Sequence, residues 1–255
     1  MLIDTHTHLY LEQFDKDRNQ IIKTCNDSNI KKLLLPNIDH STINSLLDLC
    51  SEFPDVCYPM LGLHPCSVND NFIQELEKLK ILFNTNKFIA IGETGIDLYW
   101  DKSTLDKQIE AFKIQINWAK EKNLALVIHA RNAFDEIFAV LDKEYDDNLR
   151  GVFHCFSGNL DQSERILDYG NFIFGVGGVL TFKNSGLDKV IQNISIENII
   201  LETDSPYLAP APHRGKRNDS TYLTLIADKL ADIYNISTSE VSQITSKNAK
   251  KLFKI

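Results

Sequence analysis

No stretch of the sequence approaches the ~18 consecutive apolar residues of a membrane span, and Met1-Leu2-Ile3-Asp4 lacks both the basic and the long apolar region of a secretion signal. A protein of the cytoplasm is the expectation. Positive charge is in deficit: 27 Lys and Arg face 35 Asp and Glu, for a net charge of −8 with histidine neutral. The surface as a whole therefore repels a polyanion, and any contact with nucleic acid must be local. The five cysteines, Cys25, Cys50, Cys57, Cys66 and Cys155, are odd in number and contain no C-x-x-C pair. That argues against a disulfide framework and a thiolate zinc site, and reduced thiols with no disulfide-linked partner are the expectation. Also absent is a G-x-G-x-x-G after the first strand, the mark of an open dinucleotide-binding sheet; Thr5-His6-Thr7-His8 stands there instead.

What is present is a rhythm. Eight short apolar runs, at 2–8, 32–38, 56–63, 88–93, 125–129, 151–156, 172–177 and 198–203, alternate with longer segments of helical period. Most runs are nearly continuous, such as Phe88-Ile89-Ala90-Ile91, as in parallel strands covered on both faces. Leu105, Ile109, Phe112, Ile116 and Ala119 form one amphipathic stripe; Phe134, Ile137, Phe138 and Leu141 form another. No Pro/Gly/Ser-rich linker divides the 255 residues, so the pattern predicts an α/β protein, a single (β/α)8 TIM barrel over residues 1–255. A last helix opens at the capping box Ser237-x-x-Glu240 and is expected as an extra C-terminal helix on the outer layer. Gly175-Val176-Gly177-Gly178 lacks the Lys-Ser/Thr of a phosphate loop and reads as backbone that bends or leaves room.

Barrel enzymes place their reactive groups at the C-terminal ends of strands. Those ends carry His6 and His8, His64, Glu93 with Asp97 beyond, His129 and Arg131, His154, and Glu202 with Asp204. Any one histidine is more simply a hydrogen-bonded core residue. Several imidazoles and carboxylates converging on one rim are costly to bury without a cation, and six ligands exceed what one tetrahedral zinc uses. The set suits two divalent metal ions that share a carboxylate.

At this point the sequence resembles the TatD family of metal-dependent deoxyribonucleases, within the amidohydrolase-like barrels. The likeness runs through Asp4-Thr5-His6-Thr7-His8, Gly62-Leu63-His64-Pro65, Gly92-Glu93-Thr94-Gly95-Ile96-Asp97, His129-Ala130-Arg131, His154-Cys155-Phe156-Ser157-Gly158, Leu201-Glu202-Thr203-Asp204-Ser205-Pro206-Tyr207 and His213-Arg214-Gly215-Lys216-Arg217-Asn218. The resemblance implies that His6, His8 and Asp204 hold one ion, His129 and His154 the other, and Glu93 bridges them. It implies Mg2+ in activity, with Zn2+ or Mn2+ also suited to the ligands, and a 3'-5' exonuclease-like cleavage of DNA. His64 and Arg131 resemble phosphate contacts, although Arg131 equally suits an ion pair with Glu202. The catalytic pair is then Asp204, as proton acceptor from the attacking water, and Glu93. Neither Cys155 nor Ser205 has a base partner for covalent catalysis. Where the family usually continues Asn-Glu-Pro, this chain has Asn218-Asp219-Ser220, so Asp219 or Ser220 must cap the next helix.

Arg214, Lys216 and Arg217 concentrate positive charge in one loop. They read either as a solvated loop or as contacts to phosphates flanking the scissile one. Tyr99, Trp100 and Tyr207 read either as apolar lids or as platforms for unpaired bases, which favours single strands or free ends. The residues alone leave a small amide, lactone or aminoacyl ester open as substrate, and a metal-binding protein without catalysis as a rarer alternative; the resemblance selects DNA.

Overall fold

The computed structural model describes all 255 residues. Eight parallel strands form its inner wall: β1 Leu2–Asp4, β2 Ile30–Leu35, β3 Cys57–Pro59, β4 Ala90–Asp97, β5 Ala125–Arg131, β6 Gly151–Phe153, β7 Phe172–Val176 and β8 Ile199–Leu201. Regular pairing runs β1-β2-β3 and β4-β5-β6-β7-β8. Two seams close these arcs into a cylinder. At β3–β4, Leu61 N–H bonds Ala90 C=O at 3.1 Å and Gly92 N–H bonds Leu61 C=O at 2.8 Å. At β8–β1, Thr5 N–H reaches Leu201 C=O at 3.0 Å and Asp204 N–H reaches His6 C=O at 2.9 Å. Side chains stitch the second seam too. Buried Asp4 accepts from the Thr203 hydroxyl at 2.7 Å and the Thr203 N–H at 2.9 Å, and the Thr7 and Ser205 hydroxyls meet at 2.7 Å.

Seven helices follow the wall outside: α1 Arg18–Asp27, α2 Ile43–Glu52, α3 Phe72–Thr85, α4 Leu105–Lys122, α5 Phe134–Glu144, α6 Leu160–Asp168 and α7 Leu187–Ile191. The eighth, α8 Leu223–Tyr234, comes after a long loop in which Asp219 caps a short 3-10 turn by accepting from Thr221 N–H at 2.9 Å. Of the two residues expected to cap the next helix, Asp219 caps instead the 3-10 turn leading into it, and α8 itself starts from Tyr222 without a side-chain cap. Two apolar cores result, as the fold requires. The larger lies between strands and helices; the smaller fills the cylinder with Ile3, Leu34, Met60, Ala90, Ala125, Val127, Val152 and Ile200. This is a (β/α)8 barrel with an extra C-terminal helix.

That extra helix, α9 Thr238–Phe253, starts at the expected Ser237/Glu240 capping box. Its first turns pack on α8 as expected, with Val241 in the outer core, but its last turns do not lie on the outer layer. Ala249, Leu252 and Phe253 join the small inner core and stopper the end of the cylinder opposite the strand C-termini. Its Asn248 amide donates to the carbonyls of Ile196 and Ile199, at 2.9 and 2.8 Å, just before and at the start of β8. For those last turns the expectation failed because an apolar stripe reveals which face of a helix is buried, not what it is buried against.

Strand ends also differ from the expected ones. The regular ladder of β1 stops at Asp4, so His6 and His8 lie beyond it on either side of the isolated Thr7–Ser205 bridge, whereas β4 runs past Glu93 to Asp97. Within β4 the register slips between Ile91 and Thr94, so that Gly92 and Glu93 together face Val127. Such a bulge re-aims the side chain it carries. Gly95 lets the strand continue: its φ is 138°, and a Cβ there would stand 2.1 Å from the His129 carbonyl oxygen.

Candidate metal centre

The strand ends deliver their polar side chains to one point. Glu93 is 2% exposed, and five imidazoles surround its carboxylate. Oε2 lies 3.0 Å from His6 Nε2 and 3.6 Å from His8 Nε2. Oε1 lies 2.6 Å from His129 Nδ1, 3.3 Å from His64 Nε2 and 3.4 Å from His154 Nε2. Asp204 Oδ1 faces the same space, 3.6 Å from His8, 3.8 Å from His6 and 4.0 Å from His154. The His6 and His154 rings stack with centroids 3.5 Å apart. All six residues expected as metal ligands therefore meet, together with His64.

Groups behind four of the rings set which nitrogen faces inward, whereas His6 Nδ1 is buried without a partner. The Tyr10 hydroxyl donates to Pro36 C=O at 2.7 Å, so its oxygen accepts from His8 Nδ1–H at 3.0 Å, and the Nε2 lone pair of His8 looks into the centre. His154 turns Nδ1 to Glu202 Oε1 at 2.9 Å and Nε2 inward. Glu202 also accepts from Cys155 N–H, and Gly175 makes room for it: a Cβ there would lie 2.3 Å from Glu202 Oε2. The glycine-rich end of β7 thus leaves space for an acid. His129 donates from Nε2 to Asp97 Oδ2 at 2.9 Å. His64 differs: its Nδ1 accepts from Cys66 N–H at 3.0 Å, so a neutral ring carries its proton on Nε2 and offers the centre an N–H instead of a lone pair.

Electrostatics reflect this crowding. Burial by itself raises a carboxyl, but the imidazoles of His64, His154 and His6 hold Glu93 well below the ordinary glutamate range. Asp204 is lowered in the same way, against burial, by His8, His154 and His6. Burial likewise opposes charge on His154, yet Glu202 and Glu93 carry it up to about 10. His129 is raised by Asp97 and Glu93, again against burial, and His6 is lowered by burial and by the charge on His154. The two acids thus favour their ionised forms, and the raised imidazoles of His129 and His154 hold the balancing protons.

The outer contacts are less uniform. Arg131 makes no ion pair with Glu202; its guanidinium lies over the Tyr99 ring at 3.8 Å and near Trp100 at 5.5 Å. Arg131 is instead part of a platform beside a cavity of about 590 Å³ lined by Tyr99, Arg131, Phe134, Ser157 and Gln162 among others. Arg214 rests on Phe182 at 3.9 Å, and Lys216 is exposed. Arg217 is committed elsewhere: it grips both Asp17 carboxylate oxygens, at 2.5 and 3.0 Å, and the Gln13 carbonyl at 2.6 Å. Sequence alone gives no role to Tyr10, Glu202 or Asp97, although the latter two stand at strand ends and Tyr10 follows His8 by two residues.

Comparison with known proteins bears on what this centre does. Residues 3–254 match the family described as TatD related DNase. The chain is 36% identical over 256 residues to an uncharacterized metal-dependent hydrolase of Bacillus subtilis strain 168, YabD, with 100% of both chains covered. It is 28% identical over 260 residues to a protein of Erwinia tasmaniensis named 3'-5' ssDNA/RNA exonuclease TatD, again with 100% of both covered. The crystal structure of a TatD homologue from Escherichia coli K12, YJJV, matches with a TM-score of 0.93 at 27% identity, covering 100% of this chain and 98% of that one.

Proposed function

The chain belongs to the TatD related DNase family and is a metal-dependent hydrolase, and on that basis we propose that it cleaves phosphodiester bonds, removing nucleotides from the 3' end of single-stranded DNA with the help of two divalent ions. The observation that carries this reading is the convergence of five imidazoles and a second carboxylate around Glu93. The donor set fits a pair of cations, because divalent charge satisfies buried carboxylates and ring lone pairs while releasing the protons that the raised imidazoles otherwise hold. His6, His8 and Asp204 would hold one ion, His129 and His154 the other, and Glu93 both. Ions bound there would supply an acidified water and charge neutralisation at phosphorus; Mg2+, Mn2+ and Zn2+ all suit oxygen and imidazole ligands.

The chain's own residues do the remaining work. The Asp204 side chain is 14% exposed, the more open of the two central carboxylates, and can take the proton of the attacking water. His64 keeps an N–H aimed inward, suited to a phosphoryl oxygen. Five of the seven exposed large hydrophobic residues, Tyr99, Trp100, Leu160, Tyr207 and Leu208, sit on loops at this mouth or just beyond them. Unpaired bases have a face for such rings, and duplex interiors do not. Arg214 and Lys216 suit the flanking phosphates, and the name of the Erwinia protein supports the polarity.

The test is incubation of 5'-labelled single-stranded DNA with the protein and Mg2+ or Mn2+, read as a product ladder. Stepwise shortening that chelator stops is expected. Intact DNA and RNA alongside turnover of a lactone, an amide or an aminoacyl ester by the same preparation would replace the nuclease reading with that of a different amidohydrolase-type enzyme.

A further inference from the structure

Asp97 is a buried carboxylate that touches a candidate ligand without facing the centre itself, and its two oxygens face different ways. Oδ2 accepts from His129 Nε2 at 2.9 Å; Oδ1 accepts from the backbone N–H groups of Tyr99 at 2.9 Å and Trp100 at 3.3 Å. The residue is itself anchored from α4. Its N–H bonds Gln108 Oε1 at 2.8 Å, its carbonyl accepts from Gln108 Nε2 at 3.1 Å, and that amide is steadied by Thr104 Oγ1 at 2.9 Å.

From this geometry we infer that Asp97 is a positioning residue that fixes the tautomer in which His129 can bind a cation, and that its other oxygen holds the turn presenting Tyr99 and Trp100 at the mouth. An ionised carboxylate only accepts hydrogen bonds, so the proton of His129 must lie on Nε2. The nitrogen left to coordinate is Nδ1, which faces Glu93. The inference rests on the reading of His129 as a ligand.

Asp97→Asn separates the two roles. The amide oxygen can still accept from Tyr99 and Trp100, whereas the amide NH2 would confront Nε2–H. The ring relieves that clash by moving its proton to Nδ1, where it blocks coordination. Asp97→Ala releases both the ring and the turn. For the full-length protein, calorimetric titration with Mn2+ should show two sites in the wild type. In Asp97→Asn the affinity of one site should fall about 10–100-fold, the usual consequence of losing the partner behind a metal-bound histidine. Nitrogen-15 spectra of the His129 ring should show the proton on Nε2 in the wild type and on Nδ1 in Asp97→Asn. Acrylamide quenching of Trp100, read in a Trp118→Phe background, should increase in Asp97→Ala and stay unchanged in Asp97→Asn.

Two wild-type-like Mn2+ sites in a folded Asp97→Asn protein would overturn the inference. So would a 113Cd-loaded wild-type protein whose coupling runs through His129 Nε2, a measurement that needs no variant. If His129→Ala binds both ions as the wild type does, the ligand reading itself fails, and that result is separable from the first.

Discussion

The two ends of the barrel obey opposite rules. At one end α9 inserts Ala249, Leu252 and Phe253 into the apolar filling of the cylinder. At the other, the same cylinder is capped by Glu93, Asp204 and the histidines, and exposed rings surround them. Apolar burial contributes roughly 1.5–3 kcal/mol per large side chain, whereas buried, mutually dependent charges add little net stability and cost several kcal/mol when one partner is lost. One end therefore holds the fold together, and the other uses that stability to keep reactive groups in place.

The sharpest way to break this contrast is at the polar end. Glu93→Gln or Asp204→Asn should lower hydrolysis by about 10³-fold, the order seen when a charged group at a reacting centre is removed, while circular dichroism shows an intact fold. Substitution at the apolar end should do the reverse: Leu252→Ala or Phe253→Ala should lower unfolding free energy by about 2–5 kcal/mol in urea titrations, with kcat at low temperature unchanged. Adding Mn2+ at 100 times its Kd should raise stability by about 2.7 kcal/mol for each site filled, and Glu93→Gln should abolish that gain, whereas Leu252→Ala should retain it. A smaller effect separates the arginines. Arg214→Ala with Lys216→Ala should raise KM for single-stranded DNA several-fold at low salt, with the difference fading as salt increases. Arg217→Ala should leave KM unchanged and cost at most about 1 kcal/mol, as for an exposed ion pair.

Much of this could be read from sequence because two regularities are local. Strand and helix periods reveal the barrel, and strand ends reveal His6, His8, Glu93, His129, His154 and Asp204. What escapes is what depends on partners distant in the chain. The stripe on α9 does not announce that it fills the cylinder. Nothing local ties Arg217 to Asp17, 200 residues away. The bulge that turns Glu93 inward and carries β4 on to Asp97 depends on pairing with β5. Tyr10 is visible only once Pro36 is seen to take its proton.

The β8–β1 seam has a consequence for the life of the chain before it is whole. His6 and His8 leave the ribosome nearly two hundred residues before Asp204, which lies just past the strand that must dock beside them. Until β8 arrives, Asp4 and Thr7 lack their partners Thr203 and Ser205, and half of the hydrolytic apparatus has nothing to close against. A barrel still waiting for β8 therefore holds an incomplete centre, since docking of that strand and assembly of the centre are the same event.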